Sequence, residues 1–241
     1  MVLKAELSLG NLLTAMRQAG CGDPHPIFAG GLRYIPPSAR KNTDRQAFEQ
    51  LSEYGFTQGD GFTPEFDDLL HLLDRPATEF FAYARDQREQ IGVLVAVRGR
   101  TAVTAVCQGE RVWLKGVPPD THPVDALIAN LPPCQAADIK PFSLPQQDFR
   151  EERGSDVFDD APARSRAAQK LDDLVKQKHS GLGQFYAAKR EEGLRIETED
   201  SLGYLDVDAG RVGIGVADRY ISVMPGDPVV LGRKVAALLG N

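Results

Sequence analysis

The chain writes one pattern twice. Residues 80–131 begin Phe-Phe-Ala-Tyr-Ala-Arg-Asp, continue through Gly-Val-Leu-Val-Ala-Val-Arg-Gly-Arg and Arg-Val-Trp-Leu-Lys, and close on Pro-Val-Asp-Ala-Leu-Ile. Residues 185–239 begin Phe-Tyr-Ala-Ala-Lys-Arg-Glu, continue through Gly-Arg-Val-Gly-Ile-Gly-Val-Ala and Arg-Tyr-Ile-Ser-Val-Met, and close on a Pro-Val-Val-Leu helix. Gly99-Arg100 corresponds to Gly210-Arg211, and Pro123-Val124 to Pro228-Val229. Two copies are too few for a stacked solenoid, whose core closes only over three or more units. They predict a pseudo-twofold molecule.

The apolar residues run in short alternating or β-branched segments, and Arg98-Gly99-Arg100 and Gln108-Gly109-Glu110 are short, glycine-containing connections between them. Such short connections join antiparallel neighbours, because a parallel crossover needs a dozen or more residues. The spacing predicts strands near 78–85, 90–98, 101–107 and 111–116, and again near 184–191, 202–208, 211–217 and 219–224. Helices are predicted over 123–131 and 227–239. Ahead of the first copy, Leu9, Leu12, Leu13 and Met16 recur at helical spacing, as do Ala47, Phe48 and Leu51 before Gly55. Thr63-Pro64-Glu65 is a helix start, with threonine as cap and proline at the first helical position. Ala167, Leu171, Leu174 and Val175 mark a helix ahead of the second copy. Each half therefore reads helix, four strands, helix, and the fold class is α+β: a central antiparallel sheet flanked by helical bundles. The boundaries are an N-terminal half over 1–134, a polar, proline-bearing linker over 135–163, and a C-terminal half over 164–241. Residues 146–163 are expected to be poorly ordered, since they offer little apolar surface against their ordering entropy.

Composition narrows the function. A net charge of −6 in 241 residues, with no Lys/Arg block, argues against nucleic acid as the main partner. No segment approaches the roughly 18 apolar residues of a membrane span, and the N-terminus lacks a signal pattern. Three cysteines without CxxC spacing suit a reducing compartment. The expectation is a cytoplasmic protein.

The catalytic inventory is empty. His25, His71, His122 and His179 are scattered, with neither an HExxH motif nor i, i+4 pairing. No GxSxG elbow is present. Spacing gives no reason to expect a cysteine–histidine pair, although the fold is free to make one. Gly210, Gly213 and Gly215 sit in an alternating strand rather than a strand-to-helix turn, so something packs closely on their face, most simply a helix of the chain itself. Asp206-Val207-Asp208-Ala209-Gly210 lacks the remaining ligands of a calcium loop and reads as a hairpin turn. Neither metal nor cofactor is expected.

Alternation does nominate a surface. Arg111, Trp113 and Lys115 share one side of their strand, Tyr204 and Asp206 one side of theirs, and Tyr220, Ser222 and Met224 one side of theirs. Charged sides are the ones expected to reach solvent, because a buried unpaired charge is costly. Together these residues predict an aromatic, methionine-bearing patch ringed by charge, the composition of a partner-binding hot spot. The competing reading covers Trp113 with one of the chain's own helices.

The chain resembles the EspG family of chaperones associated with ESX (type VII) secretion in actinobacteria. The resemblance rests on Arg75-Pro76, Leu94-Val95-Ala96-Val97-Arg98-Gly99, Ala102-Val103-Thr104-Ala105-Val106 and Leu127-Ile128-Ala129-Asn130-Leu131-Pro132-Pro133. In the second half it rests on Gly183-Gln184-Phe185, Asp206-Val207-Asp208-Ala209-Gly210-Arg211 and Ile221-Ser222-Val223-Met224-Pro225-Gly226-Asp227. It spans nearly the whole chain in order. It implies a cytosolic, non-enzymatic chaperone that binds the apolar helical tip of a PE–PPE heterodimer, keeps it soluble and helps target it for secretion. The surfaces implied are the central sheet and the C-terminal helical bundle. Self-association without a client is left open. The reading from a different class is an enzyme or a small-ligand-binding α+β domain whose site forms only in three dimensions; a deep pocket with converging titratable groups would mark it.

Overall fold

The computed structural model describes residues 4–150 and 165–240. β1 (Lys4–Ser8) runs directly into α1 (Leu9–Gln18), whose first turn is capped by Ser8 Oγ accepting from Asn11 N at 3.1 Å. A 3-10 turn (Pro26–Gly31) and α2 (Pro37–Glu53) follow, and Gly55, at φ 71°, ends the latter segment. A two-residue hairpin, β2 (Thr57–Gln58) and β3 (Gly61–Phe62), leads to α3 (Pro64–Asp74), where Thr63 Oγ1 accepts from Phe66 N as its cap.

The first meander is β4 (Thr78–Asp86), β5 (Gln90–Arg98), β6 (Thr101–Gln108) and β7 (Arg111–Gly116), then α4 (Pro123–Ile128). β8 (Phe142–Pro145), α5 (Gln146–Arg150) and α6 (Arg166–Lys176) come next. The second meander is β9 (Gly181–Glu191), the short β10 (Leu194–Glu197), β11 (Ser201–Val207), β12 (Gly210–Ala217) and β13 (Tyr220–Pro225), closed by α7 (Pro228–Ala237). All eight expected strands are present within three residues of their expected ends. The β11–β12 connection is the hairpin turn expected at Asp208-Ala209.

Eleven strands form one antiparallel sheet in the order β1-β7-β6-β5-β4-β9-β11-β12-β13-β8, with β10 paired to the far end of β9. The two meanders thus meet at β4–β9, and the order outward from that seam is the same on both sides. β1 and β8 extend the two outer edges. Residues 142–145 lie in the linker segment and pair with β13. That role is invisible to periodicity, because a four-residue strand paired with residues far along the chain carries no local pattern. The expectation of low order over 146–163 falls largely on 151–163, outside the described residues.

Helices cover the sheet unequally. On one face α1, α3 and the 3-10 turn pack over the first meander, burying Leu12, Phe28, Phe66, Leu70 and Phe81 with Leu94, Ala105 and Leu114. On the same face α6 packs Ala168 and Leu171 over Val207, Val212, Ile221, Val223 and Leu144. On the opposite face α4 and α7 lie together over the middle, where Val124, Leu127, Leu231 and Val235 meet Phe80, Val93, Val95, Phe185 and Leu202. The shallow glycine side of β12 is filled as expected, since a Cβ on Gly213 would sit 2.9 Å from Leu231 of α7.

Candidate binding surface

All eight nominated residues project from one face, the face that carries α4 and α7. The register shows it in a single cross-strand row, Trp113–Val106–Val93–Ala82–Phe185–Leu202–Gly215–Ser222. They do not form one patch. Six strands separate β7 from β13, and the α4–α7 layer occupies the space between.

Three of the eight are buried, which corrects the expectation that their sides reach solvent. Tyr204 and Met224 are 2% and 5% exposed, Tyr204 in the cluster with Leu231 and Val235 of α7. Asp206 is buried because its charge is answered: Arg211 Nε donates to Oδ1 at 2.7 Å and Nη2 to Oδ2 at 2.8 Å. The Arg211 guanidinium also donates to Pro132 O and lies 4.0 Å from the centre of the Tyr204 ring. Burial, the dominant cause, pushes the Tyr204 phenol up to about 12. The cost argument was sound for an unpaired charge; the partner sat five residues away on the next strand.

The remaining five lie in two separated flanks. On β13, Tyr220 is exposed and Ser222 half-buried. On β7, Arg111 and Lys115 are exposed and Trp113 is half-buried. Trp113 Nε1 donates to Glu6 Oε2 at 3.0 Å, Arg111 lies 5.0 Å over its ring, and Arg111 also pairs with Glu6. Among the described residues the indole belongs to none of the buried helix–sheet clusters, and β1 braces it through Glu6.

The opposite face holds a surface the sequence did not mark. Between the α1/α3 layer and α6, the sheet centre carries Leu182, Gln184 and Tyr186 on β9, Gly203 and Leu205 on β11, and Ile214 and Val216 on β12. Pairing makes them contiguous: Leu182 faces Leu205, and Gln184 faces Gly203, which faces Ile214. Leu182 is 45% exposed and the others are half-buried. Tyr186 stacks on Phe81 at 4.8 Å. The Gln184 side chain lies over Gly203, where a Cβ would come within 3.0 Å of its Oε1. The signal was present as alternation, but nothing in it says that, among the described residues, the two helical layers on this face leave a gap.

Chemistry does not converge on the strip. Two open grooves lie elsewhere, one of about 500 Å³ lined by Leu13, Met16, Arg17 and Ile35, the other of about 750 Å³ lined by Pro26, Ala29 and Gln90 and reached by Arg111 and Trp113. His25 and His122 cap short helices, their Nδ1 atoms accepting from Ile27 N and Val124 N at 3.2 Å. All three cysteines are free. Cys107 is buried, its thiol pushed up to about 12 by that burial. The fold does bring Cys21 to His71 and Asp74 at the last turn of α3, a grouping that sequence spacing could not reveal. Among the described residues no helix is long and apolar enough to cross a membrane.

No curated protein sequence matches the chain. Among solved structures, that of the Mycobacterium tuberculosis type VII secretion system chaperone EspG5 in complex with the PE25-PPE41 dimer matches 98% of this chain and 96% of that one. The TM-score is 0.71 at 14% identity, a likeness of fold. The EspG family sequence model matches residues 8–237, from the end of β1 to the end of α7, and the chain belongs to the EspG family.

Proposed function

We propose that this chain is a cytosolic, non-enzymatic chaperone of type VII secretion that binds the apolar helical tip of a PE–PPE heterodimer at the central strip. The observation that carries the site is the half-exposed row Leu182, Leu205, Ile214, Val216 with Tyr186, set between two helical layers on one face. An amphipathic helical tip needs an apolar groove with a polar rim and no reacting group. Arg85, opposite Leu182 across β4–β9, and Gln184 supply polar atoms beside the strip. Family membership supports the reading, as does the solved complex in which EspG5 accompanies PE25-PPE41.

Mixing the purified chain with a PE–PPE heterodimer tests the function. A stoichiometric complex on size-exclusion chromatography with light scattering is the expected result. A folded chain that elutes alone, beside a folded heterodimer, would overturn the proposal. The β7 flank offers a second reading, favoured by Trp113 standing half-buried beneath Arg111. On that reading Trp113→Ala weakens client binding by about 1–4 kcal/mol while Leu182→Asp does not.

The finer symmetry belongs to the same proposal: the halves are read as two copies of one unit about an approximate twofold through β4–β9. Aligning Phe80 with Phe185 equates Phe81 with Tyr186, and these two are direct cross-strand partners, as a twofold between antiparallel strands requires. The shared strand order and the pairing of α4 with α7 support it. Superposition of 64–131 on 165–239 in an experimental structure should overlay the four strands and place α4 on α7; divergent strand paths would end the idea.

A further inference from the structure

The end of α1 and the last turn of α3 carry three ligand-type side chains to one point. Cys21 Sγ lies 3.9 Å from His71 Nδ1, and a carboxylate oxygen of Asp74 completes a set whose donor atoms all lie within 4.8 Å of one another. A tetrahedral zinc ion, with bonds of about 2.3 Å to sulfur and about 2.0–2.1 Å to nitrogen or oxygen, holds its ligands roughly 3.3–3.6 Å apart. Each donor atom needs to move by less than about 1 Å to close on such an ion.

The scaffold beneath these groups is fixed. Gly20 turns at φ 75°, and Cys21 N donates to Met16 O at 2.9 Å. His71 and Asp74 stand three residues apart, on one side of the helix. The carbonyls of that turn are pinned, Arg98 donating to His71 O and Arg75 O at 2.8 Å and Arg190 to Asp74 O at 3.3 Å. Gly22 N donates to Asp74 Oδ1 at 3.0 Å. One turn earlier, Asp67 Oδ2 lies 3.7 Å from His71 Nε2, the nitrogen not facing the cysteine. That is longer than a hydrogen bond, but a small side-chain rotation would bring the carboxylate to the place from which metal-binding histidines are oriented. Arg75 Nε, 3.3 Å from Asp74 Oδ2, belongs to a mostly exposed side chain that can swing clear.

We infer that Cys21, His71 and Asp74 bind a zinc-class divalent cation, with Asp67 orienting His71 and the fourth position open to solvent. Thiolate, imidazole and carboxylate together suit zinc and not calcium or magnesium, which take oxygen ligands. Binding releases the Cys21 thiol proton to solvent as the sulfur–metal bond forms. The ion ties the end of α1 to the last turn of α3.

Cobalt(II) alone, titrated into the reduced full chain, tests the site. One equivalent should produce a thiolate-to-cobalt charge-transfer band with tetrahedral d–d absorption, and zinc(II) should bleach both. Cys21→Ser should abolish the charge-transfer band, and Cys134→Ser should leave it. Asp67→Asn, which alters no ligand, should weaken cobalt binding about 10–100-fold and so reports on the site independently of the cysteine. Metal-free thermal melts matching the parent separate a lost ligand from a lost fold. The inference is overturned if the folded parent shows no charge-transfer band, if the band survives in Cys21→Ser, or if Asp67→Asn binds cobalt like the parent.

Discussion

The buried Asp206–Arg211 pair sets the interior of the second half at residue scale. Removing one partner of a buried pair strands the other, at a cost of about 3–5 kcal/mol. Asp206→Asn should therefore lower the urea midpoint sharply, whereas a change at exposed Lys115 should leave it within error. Glu79 is the buried carboxyl through which the first half responds to acid. It is 3% exposed, accepts from Arg195 Nε at 2.5 Å and lies 3.5 Å from His25 Nε2. Burial pushes its carboxyl up, but the contacts to His25 and Arg195 outweigh burial and hold it below 4.5. A carboxyl depressed in the folded state binds fewer protons folded than unfolded. Its contribution is complete above about pH 4.5 and is lost as pH falls through the folded value. Denaturation at a series of acid pH values should show that loss, and Glu79→Gln should flatten it; an unchanged acid limb would contradict the assignment. Alternation placed Asp206 and Tyr204 on the same side correctly. What one strand cannot disclose is whether that side lies under a helix, or that Arg211 answers the charge.

Strands and turns with local causes were legible, and those with distant causes were not. The meanders announce themselves because the strands alternate and most turns have a local cause: glycine at 99, 109 and 210, positive φ at Asp218 and Arg219 (49° and 67°), and Asp86 Oδ1 accepting from Arg88 N and Glu89 N. β1 and β8 depend on edges made by residues 111–116 and 220–225, so no local window reveals them. Close approach between neighbouring strands is equally non-local. Gly183 on β9 lies beneath the Tyr204 ring of β11, where a Cβ would run into the ring edge. Gly183→Val should cost about 1–3 kcal/mol by overpacking, read as a fall in thermal midpoint with cooperativity retained. A neutral outcome would mean that Tyr204 has room to turn away.

Over the whole molecule, one sheet carries two unlike faces. The α4/α7 face is closed over its middle, and its flanks hold Trp113 and Tyr220 far apart. The α1/α3/α6 face is closed at both sides and leaves the strip around Leu182 between them. The patch nominated from sequence falls on the first face because charge alternation marks sides, not coverings. Leu182 is exposed enough that Leu182→Asp should leave the fold within about 0.5 kcal/mol of the parent. Its loss from an apolar contact should register as a hot spot of 2 kcal/mol or more, about 30-fold in affinity. The decisive measurement is the calorimetric affinity of the parent, Leu182→Asp and Trp113→Ala for one PE–PPE heterodimer. The account predicts at least that 30-fold loss for Leu182→Asp and near-parental binding for Trp113→Ala; parental affinity in Leu182→Asp, with the loss falling on Trp113→Ala, would contradict it.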